Sequence, residues 1–356
     1  MNMVPSLVQL EEASRGNSVL SNMAALRRFN LALTASTQPS AFVCEQLATA
    51  IPITSIGCSS ASGQSLEVAA YASSQTTRAP GGTLLLEWKQ YGNSDDENAQ
   101  ETRTRNLASM LQRLTAADGL CIPQCLGYTA DHQNYRTCLI FKYPVGEGAG
   151  EPPETLHRLL SSKGVPPLGD RFRLALNLAT SLSALHTSGW LHKQLSSHNV
   201  LLFPQCTASD RVGIWRIPRP FIVGFEYSRP NEQDADSEAV VNSLHQQPYR
   251  HPNSQGPRRK RFCRAFDVYS LGVMLLEIGY WRPISQFVQD SEAPEKLLHN
   301  IVKHYAPRLS PKTGTLYAQV VRNCFDGALA DPALDEAESQ RLFYWSVVGE
   351  LERLVV

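Results

Sequence analysis

The sequence predicts an α+β protein in two parts, a small β-rich N-terminal portion and a larger, mainly helical C-terminal one. Three observations carry that expectation. Alternating apolar residues before a Pro-Gly-Gly turn and an apolar run after it describe paired strands before residue 143. Amphipathic helical spacing dominates after residue 144. A stretch rich in Gly, Glu and Pro, from Tyr143-Pro144 to Pro153, separates the two patterns. The boundaries this predicts are an N-terminal helical extension over 1–35, the β-rich part over 36–143 and the helical part over 144–356. A chain of 356 residues exceeds the size, about 250–300 residues, at which a single core stops growing, so two lobes sharing a cleft are the economical arrangement.

In chain order, Gly16-Asn17-Ser18 breaks and caps a first helical stretch, after which Val19, Met23 and Leu26 recur on one helical face. Residues 36–65, rich in Ser, Thr, Ala and Gly, predict loop with one irregular strand. Leu66, Val68 and Ala70 alternate, Arg78-Ala79-Pro80-Gly81-Gly82 turns, and Leu84-Leu85-Leu86 follows. Because proline presets φ and glycine accepts φ > 0, this pattern predicts two neighbouring antiparallel strands. An acidic loop (Asp95, Asp96, Glu97) leads into a helix with Leu107, Met110, Leu111 and Leu114 on one face, then a short strand from Cys138 to Phe141. Beyond Pro153, Leu174, Leu178, Leu182 and Leu185 mark the best amphipathic helix. A second strong helix, beginning at Asp267, carries Leu271, Met274, Leu275 and Ile278, and the tail from Tyr317 to Val356 reads as helical.

Lysine plus arginine equals aspartate plus glutamate at 33 each, which removes any global electrostatic case for nucleic acid or an anionic membrane as the main partner. The eight cysteines are dispersed and show no C-x-x-C spacing. Cys121 and Cys125 have no His or Cys pair at zinc spacing, so buried thiols in a reduced, intracellular protein are expected. Glu11 and Glu12 stand where a signal peptide needs an apolar core, and no window approaches the roughly 18 apolar residues of a membrane span. A cytoplasmic chain, with the nucleus as the alternative, is expected.

Several strings fall in a fixed order. Leu86-Glu87-Trp88-Lys89 ends a predicted strand. His192-Lys193-Gln194-Leu195-Ser196-Ser197-His198-Asn199-Val200-Leu201-Leu202 follows the long helix, and Phe221-Ile222-Val223-Gly224-Phe225-Glu226 reads as a strand running into a turn. Tyr249-Arg250-His251-Pro252-Asn253 precedes Asp267-Val268-Tyr269-Ser270-Leu271-Gly272-Val273-Met274-Leu275-Leu276-Glu277, the most specific string of the sequence. Over residues 66–330 this order resembles the protein-kinase fold, with its β-rich N-lobe, a hinge near Phe141 to Val145 and a mainly helical C-lobe. More narrowly, Gly189-Trp190-Leu191-His192-Lys193, Val223-Gly224-Phe225-Glu226-Tyr227-Ser228-Arg229-Pro230 and Trp281-Arg282-Pro283 are similar to fungal kinase-like domains. Those domains often accompany HeLo-type prion-inhibition and propagation regions, an association that implies self-recognition or cell-death signalling. The stretch before the kinase-like part is shorter than such a region, which suggests a shortened relative.

The resemblance assigns roles residue by residue. Gln194 stands where H-R-D-L-x-x-x-N places the aspartate that takes up the substrate hydroxyl's proton, while His192 and Asn199 match the pattern; Asn199 is the implied magnesium ligand. A glutamine amide accepts no proton near neutral pH, so general-base help worth roughly 10²–10⁴ in rate is absent. Gly224 replaces the D-F-G aspartate that bridges magnesium to the phosphates. Glu226, two residues on, is either a relocated metal ligand or a solvated acid. Lys89 matches the strand lysine that reaches the α- and β-phosphates, against the alternative of a solvated strand end. Its expected helix glutamate is missing, with Asn106 or Leu107 near that place and Glu101 a turn early. No G-x-G-x-x-G precedes Lys89; Gly57 and Gly63 flank a flexible stretch that offers either an approach to phosphate or an ordinary hairpin loop. Asn253 replaces the A-P-E glutamate, and Asp267 is the implied anchor of the catalytic-loop backbone. ATP and magnesium are the implied ligands, an expectation these replacements weaken.

The leading expectation is therefore a pseudokinase acting as a signalling or binding scaffold for a protein partner, with weak or no nucleotide binding. The alternatives are a divergent Ser/Thr-type kinase using Asn199 and Glu226 for metal, and a nucleotide-binding switch without transfer. The run Arg258-Arg259-Lys260-Arg261, with Arg264 behind it, offers a nuclear-import signal, a site for an acidic partner or a solvated loop. It lacks the interleaved aromatics of a nucleic-acid surface.

Overall fold

The structure, a computed structural model, describes residues 48, 50–51, 56–57, 66–71, 82–92, 96–114, 119–144, 153–161, 164–203, 217, 219–231, 244–257, 259–287, 293–330 and 334–355. The expected N-terminal helical extension, Gly63, Asp95, Val145 and Arg258 lie outside these residues. The chain is a mixed α+β protein that divides into two compact units, Met1–Gly150 with Ser228–Gln233, and Glu151–Tyr227 with Asp234–Val356.

The first unit is built on a five-stranded sheet in the order β1-β2-β3-β5-β4. Its strands are β1 (Ile56–Gly57), β2 (Leu66–Tyr71), β3 (Gly82–Gln90), β4 (Cys125–Asp131) and β5 (Arg136–Lys142). The two expected strands are present, β2 and β3 pairing antiparallel with Val68 opposite Leu85, while the turn expected at Arg78-Ala79-Pro80-Gly81 lies outside the described residues. Alternation along β3 sends Leu84, Leu86 and Trp88 to one face, where they pack with Ala69, Cys138 and Ile140. Helix α1 (Glu97–Leu114) buries Leu107, Met110, Leu111 and Leu114, and it joins the sheet through a 2.8 Å bond from the Thr104 hydroxyl to that of Thr137. Two expectations are corrected. The strand expected over Cys138–Phe141 runs from Arg136 to Lys142. Strand β4 had no place in the sequence reading, because a register shift between Cys125 and Gly127 interrupts its alternation.

The second unit combines a small antiparallel sheet with helices. Strands β6 (Glu154–Thr155), β7 (Val200–Leu202) and β8 (Pro220–Ile222) lie in that order, which makes this part less purely helical than its periodicity suggests. Helix α2 (Leu156–Leu160) starts at Thr155, whose hydroxyl accepts from the Arg158 amide at 3.2 Å. Helix α3 (Leu168–Thr187) buries Leu174, Leu178, Leu182 and Leu185, as its stripe predicts. The core helix is α4 (Arg264–Tyr280), in which every residue from Phe266 to Gly279 is buried. It starts at Arg264 rather than at Asp267, since the Arg264 guanidinium turns inward and donates to the His186 carbonyl at 3.0 Å. A β-carbon on Gly272 would fall 2.6 Å from that of Cys324. The absent side chain therefore lets Cys324, just past helix α5 (Thr315–Asn323), press against α4. Helix α6 (Glu336–Phe343) opens with a capping box between Asp335 and Glu338. No helix among the described residues is long and apolar enough to cross a membrane. Cys121, Cys125, Cys138 and Cys324 are buried, and burial pushes the Cys125 thiol up to about 12.

Candidate functional site

The segment between α3 and β7 is fixed from beneath by one carboxylate. Asp267 is fully buried on α4 and accepts the backbone N–H groups of His192 and Lys193, one on each oxygen, both at 2.8 Å. The His186 Nε2 adds a third contact at 3.1 Å. Lys193 has a φ of 71°, in the left-handed region that a non-glycine residue enters only at a cost. The carboxylate holding its N–H is the physical reason that conformation is kept. The His186 carbonyl receives both Arg264 Nη2 and Gln340 Nε2 at 3.0 Å, so α4 and α6 together hold the end of α3.

Above this floor the structure brings His192, Gln194, Asn199 and Gly224 together. The His192 ring is buried and packs 4.8 Å from Phe225. Burial lowers its pKa to about 4 against the opposing field of Asp267. The neutral ring's Nδ1 accepts the Gln194 amide at 3.3 Å. The Asn199 carboxamide donates to the Gln194 carbonyl at 2.8 Å, while the Asn199 carbonyl accepts the Val223 amide at 2.9 Å. Gly224 has a φ of +87°, and a β-carbon there would lie 2.7 Å from Asn199 Cγ and closer still to Nδ2. Both the backbone and the occupied space therefore require glycine at this position. Glu226 follows in the next turn and is half-buried. Among the described residues, no group of three or more His, Cys, Asp or Glu side chains is placed to hold a metal ion.

Lys89 belongs to the first unit, half-buried near the end of β3. It stands opposite Thr137, on the sheet face that α1 covers. Glu101, the acid nearest the expected helix position, instead accepts the Tyr128 hydroxyl at 3.3 Å and lies 3.3 Å from His132 Nε2. Glu87, which sequence reading passed over, is buried two residues before Lys89 on the same face.

A family described as a domain of unknown function (DUF7580) matches residues 85–356, from within β3 onward. The chain belongs to the DUF7580 family. The match takes in Lys89, the whole His192–Asn199 segment, Gly224 and α4.

Within this DUF7580 region lies a further buried chain of groups that sequence reading missed. Ser197 Oγ and the Tyr249 hydroxyl are 2.6 Å apart, and Tyr249 donates to Glu277 Oε1 at 2.7 Å. The same oxygen accepts the Ile284 amide at 2.7 Å. Ser270 holds the Tyr249 carbonyl at 2.6 Å. Glu277 is fully buried, its Oε2 has no hydrogen-bond partner among the described residues, and burial raises its pKa to about 7. The network ties the short helical turn Ser197–Asn199 to the segment ending at Tyr249. His198, in that turn, stacks on His157 at 3.9 Å. Asn253 is exposed, and its backbone amide donates to His251 Nδ1 at 3.0 Å.

Proposed function

We propose that this DUF7580 member is a pseudokinase: a two-lobed, protein-kinase-like domain that keeps the fold and uses it as a signalling or binding scaffold, with weak or no nucleotide binding. The observation that carries this reading is Gly224. In a kinase-like site its position would supply the carboxylate that bridges magnesium to phosphate. Here a positive φ and the Asn199 carboxamide leave no space even for a β-carbon. Gln194 supplies no proton acceptor at the second position, and its carbonyl is engaged by Asn199. With Gly224 in place of the bridging carboxylate, the residues present do not fit a kinase-type magnesium site, so no transfer step is derived from them. The kept floor, with Asp267 under His192 and Lys193, supports the fold half of the reading. The narrower likeness to fungal kinase-like domains supports the same fold half.

The test is a thermal-shift titration with ATP, with and without magnesium, beside a phosphoryl-transfer assay. A site saturated at one hundred times its Kd stabilises by about 2.7 kcal/mol, so an occupied cleft is easily detected. The expected result is little or no stabilisation, no magnesium dependence and no transfer. Magnesium-dependent transfer that Lys89→Met abolishes would overturn the proposal and establish the divergent-kinase alternative, with Glu226→Gln then the variant that identifies the metal ligand.

A further inference from the structure

The basic run read from the sequence lies outside the site just described. We infer that Arg259, Lys260 and Arg261 form a docking surface for an acidic segment of a protein partner. All three are exposed. No ion-pair partner stands near Arg259 or Lys260 among the described residues. In a chain whose charges balance overall, they concentrate positive potential at one place.

The backbone distinguishes between the uses such a run can have. An import signal is read as an extended strand, with its own backbone groups available to the receptor. Here the Lys260 amide is bonded to the Asn253 carbonyl at 2.7 Å, closing the loop on itself. Inside the loop, Ser254 and Gln255 amides bond to the carbonyls of His251 and Pro252, and the Gln255 side chain reaches the Arg250 carbonyl at 2.8 Å. On the other side the chain enters α4, where Arg264 is buried and bonded to His186. His251, stacked on Phe266 at 4.6 Å, wedges the base. The run is thus held at both ends as a receptor surface, with its side chains outward and little backbone entropy left to lose on binding.

Chemistry favours a carboxylate-rich peptide over the other polyanions. A single-stranded nucleic acid is held on aromatic platforms beside its phosphate contacts, but Phe262 is half-buried with its ring edge-on to the buried Phe266, and a duplex is tested directly by the competition below. An anionic membrane needs a wider basic face with apolar anchors, and a short loop offers neither. Three adjacent cations match a run of Glu or Asp residues. This inference supplies a partner's chemistry for the scaffold role without depending on the kinase-like reading, since the loop's geometry is independent of Gly224.

The experiment is fluorescence anisotropy of the full chain with a labelled oligo-glutamate peptide, an equal-length oligo-glutamine peptide as control, and competition by duplex DNA and by phosphatidylserine vesicles. The expected result is binding of the acidic peptide alone, weakened by salt. Arg259→Glu/Lys260→Glu should reduce that binding about tenfold or more. Reversal of the exposed Lys312 and Arg322 should leave it unchanged. Equal loss in that control, binding unaffected by reversal of the loop, or tighter binding of DNA or vesicles would each overturn the inference. Unaltered thermal midpoints for both variants show that they are folded.

Discussion

Asp267 and Glu277 are both fully buried acids on the same helix, yet their surroundings differ sharply. Asp267 receives a donor on each oxygen and a histidine nitrogen besides. Glu277 concentrates two donors on one oxygen and leaves the other without a partner among the described residues. The difference teaches that burial alone does not decide what a carboxylate does in the fold: the number and placement of its donors decide what it holds. Asp267 works as a fixed anchor for a strained loop. Glu277, with its pKa raised to about 7, is a group the fold prefers to keep protonated.

The sharpest way to break this comparison is Asp267→Ala. It leaves two buried N–H groups without an acceptor and removes what holds Lys193 in its left-handed conformation. A loss of about 3–5 kcal/mol in urea unfolding is expected. A loss no greater than that of Glu277→Ala would erase the distinction.

The second prediction concerns pH. A folded-state pKa raised from 4.5 to about 7 means that the stabilisation from protonated Glu277 is fully present below 4.5 and is lost as pH rises through 7. The loss is on the order of 3 kcal/mol. His192 runs the other way: its pKa, lowered from 6.5 to about 4, gives stability present above 6.5 and lost as pH falls through 4. Glu277→Gln removes the first dependence and unmasks the second. Its unfolding free energy should rise with pH between about 4 and 7, where the parent profile is flatter, and should exceed the parent's at pH 8. Parallel profiles for the two proteins, from urea titrations at several pH values, would count against the assignment.

A smaller effect is expected at Gly224. Gly224→Ala should destabilise by about 2 kcal/mol through its left-handed φ and the overlap with Asn199. Asn199→Gly/Gly224→Ala should recover the steric share and leave the backbone share. The smallest effect belongs to Arg259→Glu/Lys260→Glu, with a stability change within about 0.5 kcal/mol.

Local periodicity made much of this molecule legible. The β2–β3 pairing, the apolar faces of α1 and α3 and the buried stripe of α4 all follow from spacing that repeats within one element. Strand β4 escaped because a bulge breaks its alternation, and β6 because two polar-leaning residues carry no pattern. The candidate site was readable as a list of residues, since Gln194, Asn199 and Gly224 sit at fixed offsets in their strings. What could not be read was the lack of room at Gly224, which depends on where a side chain from another segment rests. The Ser197–Tyr249–Glu277 chain and the pairing of His186 with Asp267 were hidden for the same reason. Their partners are far apart in sequence, and such contacts leave no local period.

The paired bonds to the His186 carbonyl bear on how the protein is made. Synthesis is vectorial, and segments emerging early can fold only with what has already emerged. The loop that begins at His192 is synthesised well before Arg264, Asp267 and Gln340, the groups that hold its floor. On the ribosome, the centre of the second unit therefore remains incomplete until α6 leaves the exit tunnel. Nascent chains stalled before that point should leave the loop open to proteolysis.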